Sequence, residues 1–241
     1  MIETTKTTAW SVLRDRYARA GSMIAVAGLA SAIMLGAGTA HATPYFTLDL
    51  SGADEGVDSI PGASDPNNDL LEGIYGAGTE SRDGYYGAQV LISKPGNVKY
   101  EYLGKEAGFD NGFDVGTDGT NEFTTNSSSP GDSVMQAAVA GLLDFQFDVG
   151  GDVDPGPLVN GSNPDNSGPD IANFFVSFDG DGTATSGRSL IVFLDDAGGG
   201  DDDNHDDMAV RITAVPVPAT LGLLGTGLIG LGILARRRTG V

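Results

Sequence analysis

The sequence predicts an all-β fold, an antiparallel β-sandwich of jelly-roll type. Two observations predict this class. Short runs rich in β-branched and aromatic residues alternate with clusters of glycine, proline, asparagine and aspartate, which is the pattern of short strands joined by turns. The central region also has no room for the crossover helices that a parallel sheet requires, so the strands are expected to pair antiparallel.

The predicted strands lie where apolar residues recur at alternate positions, since one face of such a strand packs inward while the other meets solvent. The turn residues Lys94–Asn97 predict that the second and third strands form a hairpin. Residues 133–143 show a weak helical stripe, and residues 51–80 and 150–170 are predicted to be long loops. The runs that predict strands are 45–50, 85–92, 98–103, 121–125, 142–149, 171–178, 189–194 and 208–213.

Residues 1–42 have the composition of a secretory signal peptide. A basic region precedes an apolar stretch from Met23 to Leu35. Ala40 and Ala42 flank His41 in a small-x-small site for signal peptidase. We therefore expect the exported domain to span residues 43–214.

Residues 215–241 combine three features of a membrane anchor. The motif Pro216-Val217-Pro218 comes first. Residues 219–235 follow, 17 residues without a charge, which is close to the shortest length that spans a bilayer as a helix. Arg236, Arg237 and Arg238 come next, and arginines that cannot cross predict a cytoplasmic C-terminus and an external domain.

This order of features resembles the PEP-CTERM sorting signal, over Val215 to Gly240, with Val217 where the motif has glutamate. The resemblance implies processing by an integral-membrane exosortase and a transient anchor in the inner membrane. It also implies a final place at the cell surface or in the extracellular matrix, together with exopolysaccharide and biofilm.

The charge of the middle region is strongly negative. Of the 33 acidic residues 31 lie between the two terminal segments, but only six of the 13 basic residues do, which gives this region a net charge of −25. Such a surface repels nucleic acid and attracts cations. The chain has no cysteine, so disulfides and thiolate metal sites are excluded.

The acidic segment, residues 195–207, is the strongest candidate site because it holds seven aspartates between two apolar strands. Like charges this close repel, so the segment needs either a counter-charge or full solvation. Calcium takes six to eight oxygen ligands and would supply that charge, whereas the alternative is a solvated acidic turn. The only histidine of the mature chain, His205, is predicted to face solvent in its charged form. The expected calcium ligands are Asp195, Asp196, Asp201, Asp203, Asp206 and Asp207.

Two further patterns accompany this segment. Residues 191–212 resemble a segment that precedes such anchors in exported bacterial surface proteins, of the DUF4114-like type, and this resemblance implies no activity. Residues 179–183 have an Asp-x-Asp-Gly pattern that fits either calcium or a plain turn, and we favour the turn.

The sequence predicts a protein that is not an enzyme, because it lacks Gly-x-Ser-x-Gly, Walker and His-Glu-x-x-His motifs. We expect a non-catalytic surface or matrix protein, with either bound calcium or a solvated turn at the acidic segment. One alternative is a secreted hydrolase with an unrecognised carboxylate pair. The other is a carbohydrate-binding module that stacks sugars on exposed tyrosines, for which the candidates are Tyr75, Tyr85, Tyr86, Tyr100 and Tyr102.

Overall fold

A computed structural model describes residues 45–53, 56–61, 68–150, 156–166, 171–198 and 203–215. The predicted signal-peptidase site at Ala40 and Ala42 lies outside the described residues. So do Pro216, Val217, Pro218 and the three arginines of the predicted sorting signal. Among the described residues, no helix is both long enough and apolar enough to cross a membrane.

The described residues form 15 strands and one short helix, α1 (Asp69–Tyr75). The strands are β1 Phe46–Asp49, β2 Asp58–Ile60, β3 Arg82–Gly84, β4 Gln89–Ile92, β5 Gly96–Gly104, β6 Gly112–Val115, β7 Asn121–Thr124, β8 Ser133–Ala138, β9 Gly141–Leu142, β10 Phe145–Asp148, β11 Leu158–Val159, β12 Asn173–Phe178, β13 Ser186–Gly187, β14 Ser189–Asp195 and β15 Met208–Val215.

Every pair of neighbouring strands is antiparallel, which confirms the predicted all-β class. The largest sheet has five strands in the order β12-β14-β15-β5-β8. Two sheets of four strands have the orders β13-β1-β4-β9 and β11-β10-β6-β7, and β2 pairs with β3 in a small fourth sheet.

The main core lies between one face of the five-stranded sheet and the two four-stranded sheets, in a sandwich-like arrangement. Phe113 on β6 is its most connected aromatic residue. Its ring centroid lies 5.1 Å from that of Phe147, 5.5 Å from that of Phe145 and 5.8 Å from that of Tyr100. Rings at these separations bury a large apolar area against one another, so this cluster holds the sheets together.

Helix α1 covers the opposite face of the five-stranded sheet. Leu71 of the helix packs in a second apolar cluster with Ile191 and Phe193 of β14. Asn68 caps the helix, because its side-chain oxygen accepts a hydrogen bond from the Leu71 N–H at 3.0 Å. Since β14 contacts a core on each face, its sequence is a continuous apolar run rather than an alternating one.

Three local predictions are wrong. The Lys94–Asn97 turn does not close a hairpin: β4 pairs with β1 and β9, whereas β5 pairs with β15 and β8. Alternation shows which face of a strand is buried but not which strand lies beside it. Residues 133–143 form β8 and β9 instead of a helix; β8 is an edge strand with mostly exposed side chains, so its period-two pattern is weak. The two predicted long loops contain regular structure: 51–80 contains β2 and α1, and 150–170 contains β11.

The tyrosines proposed for sugar stacking lie mainly inside the domain. Tyr85, Tyr86, Tyr100 and Tyr102 are all buried, and the last two pack in the main core beside Phe113 and Phe123. Buried rings present no open face to a sugar.

Burial of tyrosine hydroxyl groups also makes the stability of the folded domain sensitive to alkali. Loss of solvation raises the pKa of Tyr75 to about 12 and raises the pKa values of Tyr86 and Tyr100 as well. An unfolded tyrosine ionises near pH 10. The folded protein therefore holds these protons where the unfolded chain has released them, so stability is fully present below about pH 10 and falls as pH rises towards 12.

We expect the midpoint of urea unfolding to fall steadily over that window, and Tyr100→Phe to make the fall shallower. Phenolate absorbance of all seven tyrosines that is complete near pH 10 without loss of stability would contradict the burial of these hydroxyl groups.

Candidate metal centre

The acidic segment connects the adjacent antiparallel strands β14 and β15, so it starts and ends at the same end of the five-stranded sheet. Asp195 is the last residue of β14 and is aligned with Asn173, the first residue of β12. The sheet therefore fixes one carboxylate and one amide side by side before the segment leaves it.

Asp195 is fully buried, and its two carboxylate oxygens have different environments. Oδ1 accepts hydrogen bonds from the N–H groups of Ala197 at 2.9 Å and Gly198 at 2.6 Å, whereas Oδ2 has no hydrogen-bond partner. Burial raises the pKa of Asp195 to about 7, against the opposing effect of those two N–H donors.

Gly198 makes the tight bend after Asp195 possible. Its φ is +74°, and a Cβ at this position would lie 2.2 Å from the carbonyl oxygen of Ile171. Only glycine fits such a close approach in the left-handed region. Gly198 therefore allows the acidic segment to turn sharply after β14.

His205 is fully buried, so the prediction that it faces solvent is wrong. Its ring packs against Tyr86, with centroids 5.0 Å apart, and against Phe175 at 6.2 Å. Loss of solvation lowers the pKa of His205 to about 3, which keeps the imidazole neutral. Neighbouring aspartates in the sequence suggested a charged ring, but the apolar contacts decide its state.

The hydrogen bonds around His205 determine which ring nitrogen carries the proton. Nε2 lies 2.8 Å from Oδ1 of Asn173. The Asn173 amide nitrogen donates to Oδ1 of Asn166 at 3.1 Å and to the Ile171 carbonyl at 3.4 Å, so its oxygen is the atom that faces the ring. An amide oxygen only accepts. Nε2 therefore bears the hydrogen, and Nδ1 has an open lone pair.

That lone pair points towards two carboxylates. His205 Nδ1 lies 3.7 Å from Asp195 Oδ2 and 3.7 Å from Asp203 Oδ1, and all three atoms lie within 4.8 Å of one another. These three residues are called the metal cluster below. His205 Nδ1 and Asp195 Oδ2 are buried without a hydrogen-bond partner. Three acceptors that converge in a largely buried place repel one another unless a proton or a metal ion lies among them.

The other predicted ligands are not among the three converging residues. Asp196 Oδ2 accepts a hydrogen bond from the Asn111 amide at 2.6 Å, and the Asp196 N–H donates to Asp207 Oδ2 at 2.7 Å. Burial, with the charge of Asp196, raises the pKa of Asp207. The carbonyl oxygen of Asp206 accepts from the Glu106 N–H at 2.8 Å. Asp201 lies outside the described residues.

Sequence reasoning found two of the three residues of the metal cluster and missed His205. It also missed Asn173 and Asn166; the latter donates to Asp203 Oδ1 at 2.7 Å. The available signal was a histidine inside a segment of aspartates, but its contact with Asn173 spans 32 residues of sequence.

The favoured turn at residues 179–183 is confirmed: Asp181 Oδ1 accepts from the N–H and hydroxyl of Thr183.

Comparison with known protein families concerns the C-terminal segment. Residues 214–238 match the PEP-CTERM protein-sorting motif. The chain carries a PEP-CTERM sorting signal. It is therefore an exported protein that is sorted and processed by an exosortase, as the proline motif and the arginine cluster predict. The DUF4114-like resemblance of residues 191–212 stays a prediction. Searches of curated proteins and of solved structures found no match.

Proposed function

We propose that this exported protein is a non-catalytic component of the cell surface or extracellular matrix whose domain binds a divalent cation at the metal cluster. The observation that carries the proposal is the pair of buried ligand atoms, Asp195 Oδ2 and His205 Nδ1, that have no hydrogen-bond partner. Folded proteins rarely leave buried polar atoms unpaired, and a single cation would satisfy both of them.

The position of the cluster gives the ion a structural role. Asp195 ends β14, whereas Asp203 and His205 belong to the end of the acidic segment just before β15. Asn204, between them, accepts a hydrogen bond at its carbonyl oxygen from the Asn68 amide at 2.7 Å, and Asn68 caps α1. An ion here would join the sheet, the returning segment and the helix. A domain without disulfides gains stability from such a link.

The proposed location at the cell surface and the structural role are inferred from sequence motifs. The sorting signal favours a place among surface polysaccharide or biofilm, and the absence of catalytic motifs favours a structural role. Calcium is the ion that the acidic composition predicts, so it belongs among the ions tested.

Thermal unfolding of the full chain in detergent tests ion binding. After chelator treatment, the midpoint is expected to rise with added divalent cation, by about 5–10 °C at a hundredfold excess over the dissociation constant, because the ion binds only the folded state. Ca²⁺, Mn²⁺ and Zn²⁺ are titrated in parallel. Asp181→Asn, at an exposed turn, is the matched control and should keep the full response.

Asp195→Asn should abolish the response and leave the metal-free protein as stable as the parent or more so. Asparagine retains an oxygen for the N–H groups of Ala197 and Gly198 but removes a buried charge. If no cation raises the midpoint of the parent, the proposed function is wrong.

A further inference from the structure

We infer that the metal cluster is selective for a first-row divalent ion of the zinc type over calcium. This inference rests on the proposed function, since it assumes that an ion binds, and it specifies which chemical class of ion the residues select.

His205 offers a nitrogen donor to the metal cluster. The hydrogen bond from His205 Nε2–H to Asn173 Oδ1 leaves a nitrogen lone pair facing the two carboxylates. Calcium is a hard cation whose protein ligands are oxygens. Imidazole nitrogen together with carboxylate oxygen is a donor set for zinc and its first-row neighbours. A calcium site would gain little from a neutral imidazole held in this orientation.

Few aspartate and histidine donors converge in the metal cluster among the described residues. Asp195 Oδ1 is already occupied by two backbone N–H groups, so Asp195 offers one oxygen, Oδ2, to an ion. Asp203 presents Oδ1 and His205 presents Nδ1, so three aspartate and histidine side-chain atoms converge among the described residues. Zinc commonly takes three protein ligands with a fourth position for water, whereas calcium requires six to eight oxygens. Asp195 and His205 are fully buried, which restricts space for the extra waters that calcium would need.

Neighbouring side chains hold the ligands of the metal cluster in place by hydrogen bonds. Histidines that bind metals donate their second ring N–H to a fixed acceptor, which sets the tautomer and the ring orientation. Asn173 is such an acceptor, and it is itself held by Asn166. Asn166 also donates to the Asp203 ligand atom, so one side-chain network orients both ligands.

The test compares Zn²⁺ with Ca²⁺ on the full chain and on His205→Asn. His205 has a φ of +56°, a left-handed conformation that asparagine also adopts readily, so the substitution keeps the backbone and replaces nitrogen by an amide oxygen. The parent is expected to be stabilised by Zn²⁺ at concentrations at least about a hundredfold lower than by Ca²⁺. In His205→Asn the Zn²⁺ response should weaken at least about tenfold while any Ca²⁺ response is retained.

A second readout needs no variant. In the chain labelled with ¹⁵N-histidine, Zn²⁺ should shift the Nδ1 resonance of His205 and leave its Nε2–H in place, and His41→Gln assigns the two histidines. This measurement decides the question if His205→Asn fails to fold.

The outcomes separate the two proposals. Stabilisation by Ca²⁺ at lower concentrations than by Zn²⁺ would overturn the zinc-type selectivity but leave a cation-binding function intact. Stabilisation by Zn²⁺ with an unmoved Nδ1 resonance would also overturn it, because the ion would then bind at other carboxylates. No stabilisation by Ca²⁺, Mn²⁺ or Zn²⁺ would remove the proposed function itself.

Discussion

Replacing Phe113 with alanine is expected to lower the free energy of unfolding by about 3–5 kcal/mol. The side chain is fully buried where the four-stranded sheet that contains β6 meets the five-stranded sheet, and it contacts aromatic rings from both. Alanine would remove the ring and leave a cavity that surrounding strands cannot close, because their positions are fixed by backbone pairing. Urea unfolding monitored by circular dichroism measures the loss.

Phe109→Ala is the matched control, since the same atoms are removed from a side chain that is 45% exposed. We expect this variant to change stability by no more than about 0.5–1 kcal/mol. Equal losses in the two variants would contradict the placement of Phe113 at the centre of the core.

Replacing Asn160 with alanine is expected to cost about 2–5 kcal/mol although it removes no large apolar group. The Asn160 side chain accepts from the Val90 N–H at 2.9 Å and donates to the carbonyl oxygens of Val90 at 2.9 Å and Leu143 at 2.6 Å. It thus joins β4 of one four-stranded sheet to the residues that lead into β10 of the other. Alanine would leave the Val90 N–H and one Leu143 acceptor buried without partners.

Hydrogen exchange should show where this loss arises. The Val90 amide is expected to lose protection in Asn160→Ala, because its acceptor is gone. Asn97→Ala, at an exposed position of β5, is the control and should leave exchange and stability nearly unchanged. Retained protection at Val90 would show that another group takes over the bond, and would argue against the asparagine as the link between the sheets.

The positions of the long strands could be predicted from the sequence, whereas their pairing could not. Apolar alternation identified the long strands β5, β12, β14 and β15 within a few residues, because which face of a strand is buried is a property of its own sequence. It did not identify that β4 and β5 belong to different sheets, because a strand with one apolar face packs equally well beside any partner of the same kind.

The candidate site, too, could be predicted only in part. Seven aspartates in the acidic segment marked it as a place for a cation, and two of the predicted ligands, Asp195 and Asp203, converge. The segment could not reveal that Asp196 and Asp207 hydrogen-bond elsewhere, nor that His205 is buried against Tyr86 and Phe175. Those contacts join residues far apart in the chain, and only the closed sheet brings them together.

The sequence by itself determined the all-β class, the acidic character and the sorting signal, which residues 214–238 carry as a linear motif. Such a signal consists of local features, a proline motif, an apolar stretch and terminal arginines, so no folding is needed to find it. Only the tertiary structure decided the protonation of His205 and therefore the chemistry of the metal cluster. The tautomer depends on Asn173, which lies 32 residues away along the chain and reaches the ring because β12 pairs with β14.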